Sequence, residues 1–277
     1  DNLGVTDLSF NSSGYKEFYS NDPNKSMGQI AVNNNQITVV IENQSQISID
    51  TLFMFRLDMN GLPVSSFGIN GYSFSKEFYG GSGLYRCKQI DFYQDGRMVL
   101  LTENKYLTNF PLSLLNLYKV NGERDLNWGP CITINPCVKN GTVTTNDMYS
   151  AVDIVVDSFN NTYIADINNK GVRKYNSSGI LDSSFGGIAV GQFAGLSFTT
   201  ISGTGYKKAV PYALTFQPNG QLLVAGFTDT LGSQYNSKKN SLFVGRLLES
   251  CMNIPIDTLT NTTLCIGDTI KLLCNTN

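Results

Sequence analysis

Cysteine is the residue type whose spacing in this chain most directly suggests chemistry. The chain has six cysteines and no histidine. Cys131 and Cys137 are close enough in the chain for their two thiols to close a small disulfide loop. The alternative is a zinc site, but two cysteines without a histidine supply too few ligands for zinc. The spacing therefore favours a disulfide.

The remaining cysteines point to an oxidising compartment. Cys251, Cys265 and Cys274 lie close together near the end of the chain and form a candidate C-terminal disulfide cluster. An even number of cysteines is typical of proteins that form disulfides outside the cytosol. Their connectivity cannot be read from the sequence, and Cys87 is a candidate for a buried free thiol.

Catalytic patterns are missing from the sequence. The absence of histidine excludes Ser-His-Asp and Cys-His catalysis and any histidine-bound metal. No G-x-S-x-G, Walker-type or C-x-x-C motif occurs. Acidic residues such as Asp95, Asp157 and Asp182 fall at turns, where capping of the backbone explains them. We predict a protein that is not an enzyme, with no cofactor and no metal.

Two segments resemble calcium-binding loops, Asp58-Met59-Asn60-Gly61 and residues 166–171. A calcium loop needs further oxygen ligands and a bidentate acid at a fixed spacing, and neither segment has them. We therefore interpret both segments as turns.

Charge and composition exclude two classes of partner. The 277 residues contain 20 Lys and Arg and 22 Asp and Glu, without the basic excess of a nucleic-acid-binding protein. No apolar run reaches the roughly 18 residues of a membrane span. Asparagine is unusually common, which fits a turn-rich extracellular β protein or a genome that favours Asn codons. Asp1 fits a mature N-terminus left after removal of a signal peptide.

The apolar runs are organised as hairpins at a regular interval. Asn or Gly turns separate pairs of apolar runs, which is the strongest short-range hairpin signal. The Asn219-Gly220 turn predicts two central residues with positive φ, as in a type I′ turn. The turns recur at nearly equal intervals along the chain, at Asn34-Asn35, Asp95-Gly96, Asn160-Asn161 and Asn219-Gly220.

A second marker has the same period. A Ser-Phe-Gly-like motif places an aromatic residue at nearly equal intervals, at Phe10, Phe67, Trp128 and Phe185. Two independent markers with one period indicate a repeat protein. A repeat of this length made of strands and turns favours a β-propeller.

The repeat resembles the delta-60 repeat β-propeller family of bacterial secreted and cell-surface proteins. The segments ILDSSFGG, NGQLLVAG and FRLDMNG carry the resemblance, which covers about residues 4 to 250. It implies an all-β propeller of about four four-stranded repeats, approximately 4–61, 62–122, 123–179 and 180–250. It implies no particular activity.

The repeat ends before the C-terminus. Residues 251–277 are predicted to be a tail, or the start of an immunoglobulin-like or PKD-like domain, which the segment TLCIGDTIKLLC resembles. Four Asp-Thr-apolar triplets resemble the O-glycosylation motif of Bacteroidota secreted proteins and imply export by a type IX-like pathway. The candidate sites are Thr51, Thr230, Thr258 and Thr269.

These observations predict a non-enzymatic secreted or cell-surface module for adhesion or protein–protein interaction within a larger exported protein. Its expected partners are a surface protein or glycan and the secretion machinery or co-assembled subunits. The insertion around Cys131 and Cys137 is a natural place for a binding feature, because loops carry function. The alternative is a carbohydrate-binding or carbohydrate-active propeller, for which a cleft with two close carboxylates would be evidence.

Overall fold

The computed structural model of the chain consists of β-strands joined by turns and loops, with one short 3-10 helix at Phe10–Ser12. It describes residues 5–18, 25–43, 51–76, 85–104, 112–134, 137–144, 150–167, 171–185, 196–198, 200–201, 207–230 and 241–247. The chain divides into two compact units, Asp1–Asp147 and Met148–Asn277. Each unit contains two four-stranded antiparallel sheets, and none of the sheets in the described ranges is closed.

The first unit holds the first and second sheets. The first sheet follows chain order, with β1 (Lys25–Asn33), β2 (Gln36–Asn43), β3 (Thr51–Asp58) and β4 (Tyr72–Lys76). The second sheet consists of β5 (Tyr85–Phe92), β6 (Met98–Asn104), β7 (Leu112–Tyr118) and β10 (Thr142–Thr144). A small hairpin of β8 (Thr133–Ile134) and β9 (Cys137–Val138) is inserted between β7 and β10.

The second unit holds the third and fourth sheets. The third sheet contains β11 (Ala151–Val156), β12 (Thr162–Asp166), β13 (Gly171–Tyr175) and β14 (Leu196–Phe198). The fourth sheet contains β15 (Thr200–Ile201), β16 (Lys207–Phe216), β17 (Leu222–Thr230) and β18 (Ser241–Leu247). The all-β fold class predicted from the sequence is confirmed.

The repeat is visible in the backbone as a β-bulge in the first strand of the main hairpin of each sheet. The register shifts at nearly equal intervals, at Gly28 in β1, Lys88 in β5, Val152 in β11 and Tyr212 in β16. A bulge adds one residue to a strand and increases its local twist. Four bulges at one period show that the sequence repeat is also a structural repeat.

The four hairpin turns predicted from the sequence are present, but the predicted type I′ geometry is wrong at Asn219-Gly220. Gly220 has a φ of +81° and its N–H donates to the Gln217 carbonyl, whereas Asn219 has no positive φ. Pro218 stands second in this turn, and its ring holds φ near −65°, which suits a type I turn followed by glycine. Two consecutive positive φ values occur in the hairpin turn at Asn34 and Asn35.

The two sheets of each unit pack face to face. In the first unit, Leu52 and Met54 of β3 lie in one core with Met98 and Leu100 of β6, and all four are fully buried. One face of β3 therefore packs on the neighbouring sheet. In the second unit, Leu222 and Val224 stand at the same distance after their turn as Met98 and Leu100, and they belong to the matching core. Removal of this apolar surface from water is the main force that holds each pair of sheets together.

Three of the four marker aromatic residues are buried, and two of them, Phe67 and Phe185, belong to these cores. Phe67, Trp128 and Phe185 are each no more than 2% exposed. Gly122 has a φ of +83°, and a Cβ there would lie 2.7 Å from Cζ of Phe67. The N–H of Gly68 donates to the Asn121 carbonyl over 2.8 Å. The aromatic ring of the motif therefore packs against the glycine of the corresponding turn in the next repeat, as Phe67 does against Gly122.

The predicted repeat boundaries and the sheets differ in phase. The marker motif lies near the end of a sheet rather than at its beginning, as Phe67 does between β3 and β4. The fourth sheet differs from the other three because its additional short strand, β15, pairs with β16. Residues 251–277 lie outside the described ranges, so the predicted C-terminal tail or domain stays a prediction.

Candidate functional site

The second unit contains a cleft between two hairpin turns. The turns are residues 157–160, between β11 and β12, and residues 217–220, between β16 and β17. The cleft has a volume of about 540 Å³. Its walls combine backbone of both turns with aromatic and amide side chains. The lining residues are Val156, Asp157, Ser158, Phe159, Tyr163, Phe216, Gln217, Pro218, Asn219 and Gly220.

The carboxylate of Asp157 in this cleft holds its own turn together. Asp157 Oδ1 accepts the N–H groups of Phe159 and Asn161, each over 2.8 Å. Asp157 Oδ2 accepts the Asn161 amide over 2.8 Å and the Tyr163 hydroxyl over 3.2 Å. Four donors satisfy this carboxylate, so its role in the cleft is to fix the turn and the Tyr163 ring rather than to accept a proton from a substrate.

Phe159 and Gln217 give the two turns of the cleft different chemical characters. Phe159 is 77% exposed, which is high for an aromatic side chain. Gln217 Oε1 is buried and has no hydrogen-bond partner among the described residues. The cleft therefore offers an open apolar ring on one turn and, on the other, an amide whose oxygen has no hydrogen-bond partner among the described residues.

A second cavity, of about 520 Å³, lies in the first unit. Three of its lining side chains are aromatic, and the Phe55 ring contacts the other two. The ring centroids of Phe18 and Phe55 are 4.5 Å apart, and those of Phe55 and Tyr72 are 5.2 Å apart. Phe55 points to the face of β3 opposite Met54, because side chains alternate along a strand. Glu17 is the one acidic residue in its described lining. Among the described residues, neither cavity therefore holds the two carboxylates that glycoside hydrolysis requires.

The insertion in the second sheet is closed by the predicted disulfide. Cys131 and Cys137 are bonded, with their Cα atoms 5.2 Å apart. The N–H of Ile132 donates to the Val138 carbonyl over 2.7 Å, which closes the base of the β8-β9 hairpin. Ile132 and Val138 are 55% and 44% exposed, so the hairpin presents apolar side chains to solvent.

Buried polar side chains tie neighbouring sheets together within each unit. Glu42 on β2 accepts the N–H of Cys87 on β5 over 2.8 Å, and Asp153 on β11 accepts the N–H of Leu214 on β16 over 2.6 Å. Burial raises the pKa of Glu42, although the hydrogen bond from Cys87 and the nearby Arg86 lower it in part. These carboxylates act as structural acceptors at the junction of two sheets.

Arg56 is a buried cation at the junction of the first and second sheets. Its Nη1 donates to the Val120 carbonyl over 2.9 Å and its Nε to Thr38 Oγ1 over 3.2 Å. The guanidinium lies 4.3 Å from the centroid of the Phe67 ring. Burial lowers the pKa of Arg56 to about 10. Hydrogen bonds and the aromatic face together stabilise this charge.

The other residues singled out in the sequence are placed as follows. Cys87 is a buried free thiol, as predicted. Thr51 is the first residue of β3 and Thr230 the last of β17. The remaining candidates, Thr258, Thr269, Cys251, Cys265 and Cys274, lie outside the described residues.

The calcium-like segment at Asp58 is a turn. Asp58 Oδ1 accepts the N–H groups of Asn60 and Leu62, each over 2.9 Å. The second such segment, residues 166–171, lies partly outside the described residues. Across the described ranges, no three His, Cys, Asp or Glu side chains converge in a way that could hold a metal ion. No helix in the described part of the chain is long and apolar enough to cross a membrane.

The sequence pointed to Asp157, Asn219 and Gly220 only as turn residues, and it did not single out Phe159 or Gln217, although alignment of the repeats contains a signal for Phe159. Asp95, Phe159 and Asn219 occupy the same turn position, just before the residue with positive φ. Phenylalanine is unusual at a position where turns favour Asp and Asn. Comparison of the repeats residue by residue would have singled out Phe159.

Comparison with known proteins adds a structural likeness and no activity. No family model matches the chain, and no curated protein matches it. One similar solved structure is a crystal structure of a protein of unknown function from Bacteroides caccae, with 11% sequence identity and a TM-score of 0.40. The match covers 83% of this chain and 63% of that one, so the chain spans less than two thirds of its length.

Proposed function

We propose that this chain is a non-enzymatic binding module of an exported, cell-surface protein. Its role is adhesion or protein–protein interaction, and its four sheets are successive blades of a β-propeller of the delta-60 repeat type. The regular bulges and the buried marker aromatics support one blade for each sequence repeat. The partner class is a surface protein or a glycan.

The observation that carries the proposal is the disulfide-closed hairpin at Cys131 and Cys137. A structural disulfide persists in oxidising compartments, which supports export. The hairpin lies in the connection between β7 and β10 and exposes Ile132 and Val138, so it presents an accessible apolar surface that the disulfide closes at its base. A pre-organised apolar loop is suited to binding, since little conformational entropy is lost when a partner docks.

The lining of the two cavities supports a binding role over an enzymatic one. Among the described residues, each cavity contains one acidic side chain, and Asp157 is already satisfied by four donors. A second candidate function, carbohydrate binding, is favoured by the cleft that contains Phe159 and Gln217.

The experiment that tests the proposal uses protein from its native cells. Intact mass before and after reduction would give the number of disulfides and any added sugar, and protease treatment of whole cells would show whether the protein is at the surface. We expect oxidised Cys131 and Cys137, loss of the protein on protease treatment, and mass increments if the threonine sites carry glycans. A reduced protein that is protected from the protease would overturn the proposal.

The contribution of the hairpin is tested with the full chain and native surface extract. Chemical crosslinking of wild type should capture a partner that the Ile132→Ser/Val138→Ser variant does not capture. The matched control is Val120→Ser, which changes another exposed apolar residue of the first unit. Equal capture by all three proteins would exclude the hairpin as the binding element.

A further inference from the structure

We infer that the cleft between the 157–160 and 217–220 turns is a binding site for a neutral sugar. Phe159 stacks on the apolar face of a pyranose ring, and the Gln217 amide hydrogen-bonds to its hydroxyl groups. This inference rests on the binding function proposed above and gives the second candidate, carbohydrate binding, a site and a ligand class.

The first argument is that Phe159 does nothing for its own turn. In the second and fourth sheets, the side chains at this position cap the strand that follows: Asp95 Oδ1 accepts the N–H of Arg97 over 3.1 Å, and Asn219 Oδ1 accepts the N–H of Gln221 over 3.2 Å. In the third sheet, Asp157 accepts the corresponding N–H of Asn161. Phe159 neither caps the turn nor enters the core, and its exposed ring is free to meet a ligand.

The second argument comes from Gln217, on the opposite turn. Buried polar atoms nearly always have a hydrogen-bond partner, and Gln217 Oε1 has none among the described residues. The terminal torsion of a glutamine side chain has a broad energy profile, so the oxygen and the nitrogen of its amide can exchange places at little cost and either can face a ligand. An amide offers both a donor and an acceptor, which is the combination that a sugar hydroxyl pair needs.

The lining of the cleft decides the class of ligand. Among the described residues, no Lys or Arg lines it, so it provides no cation for a sulfated sugar or a uronic acid. An open aromatic face and a few placed polar groups are typical of small-ligand sites. The carboxylate of Asp157 is occupied by four donors, so the site binds its ligand without hydrolysing it.

The test is a titration of the uniformly ¹⁵N-labelled full chain, followed by amide chemical shifts. The probes are methyl β-D-glucopyranoside, methyl β-D-galactopyranoside and methyl α-D-mannopyranoside, each to about 50 mM, because a single sugar ring binds with Kd in the millimolar range. We expect at least one glycoside to shift the amides of Phe159, Asn161, Gly220 and Gln221. The other amides of the third and fourth sheets should shift much less.

Three variants separate the proposed contacts from general effects. Phe159→Ala should weaken binding at least about tenfold, and Phe159→Trp should retain it, because the larger ring also stacks. Gln217→Met keeps the shape of the side chain without its amide and should weaken binding several-fold. The control Tyr212→Ala, which removes another exposed aromatic residue of the second unit, should bind like wild type.

Several results would overturn the inference. They are the absence of shifts with all three glycosides, shifts confined to other residues, and unchanged binding by Phe159→Ala. A proline-rich peptide that shifts the same amides when the glycosides do not would replace the ligand class. If this titration fails, the evidence for a cell-surface location and for the disulfide is unaffected, so the proposed function still stands. A reduced intracellular protein would instead refute the proposed function, whatever the titration gives.

Discussion

Glu42 Oε1 accepts a hydrogen bond from the backbone nitrogen of Cys87 over 2.8 Å, so a buried carboxylate of the first sheet pairs with the opening strand of the second. The two residues are 45 positions apart in the chain. Glu42 is 6% exposed and Cys87 is 4% exposed. The contact satisfies the backbone N–H of Cys87 next to the bulge at Lys88. The charge of the Glu42 carboxylate makes the junction of the two sheets sensitive to pH.

The first prediction concerns the pH dependence of stability. Burial raises the pKa of Glu42 above the usual 4.5, so the folded protein binds this proton more tightly than the unfolded chain does. The contribution of Glu42 to stability therefore decreases as the pH rises from 4.5 through the raised pKa. We expect Glu42→Gln, which keeps the acceptor without the charge, to gain stability relative to wild type over this range.

Urea unfolding of both proteins between pH 4 and pH 8 measures this difference. Glu42→Ala should be less stable than wild type by about 1–3 kcal/mol, since the Cys87 N–H loses its acceptor. Glu123→Gln is the control with the opposite trend, because the pKa of this exposed carboxyl is lowered by its hydrogen bond with Asn121 and by Lys119. A difference between wild type and Glu42→Gln that does not change with pH would contradict the prediction.

The second prediction compares two glycines of the first unit. Gly122 has a φ of +83° and lies against the Phe67 ring. Gly96 has a similar φ of +85°, but a Cβ added there would have Val120 Cγ2 as its nearest neighbour, at 3.5 Å. Alanine at either position costs about 1–2 kcal/mol for the left-handed conformation. Gly122→Ala should cost about 1–3 kcal/mol more, because its methyl group collides with Phe67. Thermal unfolding of both variants measures the difference, and equal losses would exclude the proposed seating of the marker ring.

The third prediction concerns the disulfide. The Cys131–Cys137 bond closes a loop with a sequence separation of 6, for which chain entropy predicts about 2 kcal/mol of stabilisation. The hairpin is an insertion, so this stabilisation acts locally. We expect Cys131→Ser/Cys137→Ser to be cleaved faster by protease within residues 131–138, with little change in the unfolding midpoint of the second sheet. Loss of the whole fold on reduction would show that the disulfide is needed by the core.

The fourth prediction concerns the reactivity of Cys87. Burial raises the pKa of this thiol, and the nearby Glu42 charge raises it further, so very little thiolate forms near neutral pH. We expect iodoacetamide at pH 8 to modify Cys87 at least about a hundredfold more slowly in the native protein than in urea. Peptide mapping by mass spectrometry separates this thiol from the others. Rapid modification of native protein would show that the junction between the first two sheets opens readily.

The hairpins and the disulfide could be predicted because their determinants are local. A turn depends on the φ preferences of a few consecutive residues, and alternation along β3 already separates the core face with Leu52 and Met54 from the opposite one. Cys131 and Cys137 are close enough in the chain to meet through one short hairpin. The spacing of the turns anticipated the spacing of the bulges for the same reason.

Contacts between residues of successive repeats could not be predicted in the same way. Asp153 and Leu214 meet because two sheets pack with one particular register, and the sequence has no local signal for that register. The turn at Gln217–Gly220 also departed from the expected type, since only its glycine has a positive φ, as in the turn that ends at Gly96. Such outcomes depend on competition among several residues.

The sequence by itself determined a β protein built from a regular repeat of strands and turns, with one short-range disulfide and no histidine chemistry. These properties follow from composition, turn preferences and alternation, which act over short stretches of chain. Tertiary structure decided that Phe159 and Gln217 line one cleft and that Glu42 is buried at a sheet junction. It also decided that the hydrogen bonds of Asp157 are made within its own hairpin. Those relationships exist only after sheets distant in the chain have packed, because burial and hydrogen-bond partners are properties of the folded surface rather than of any one segment.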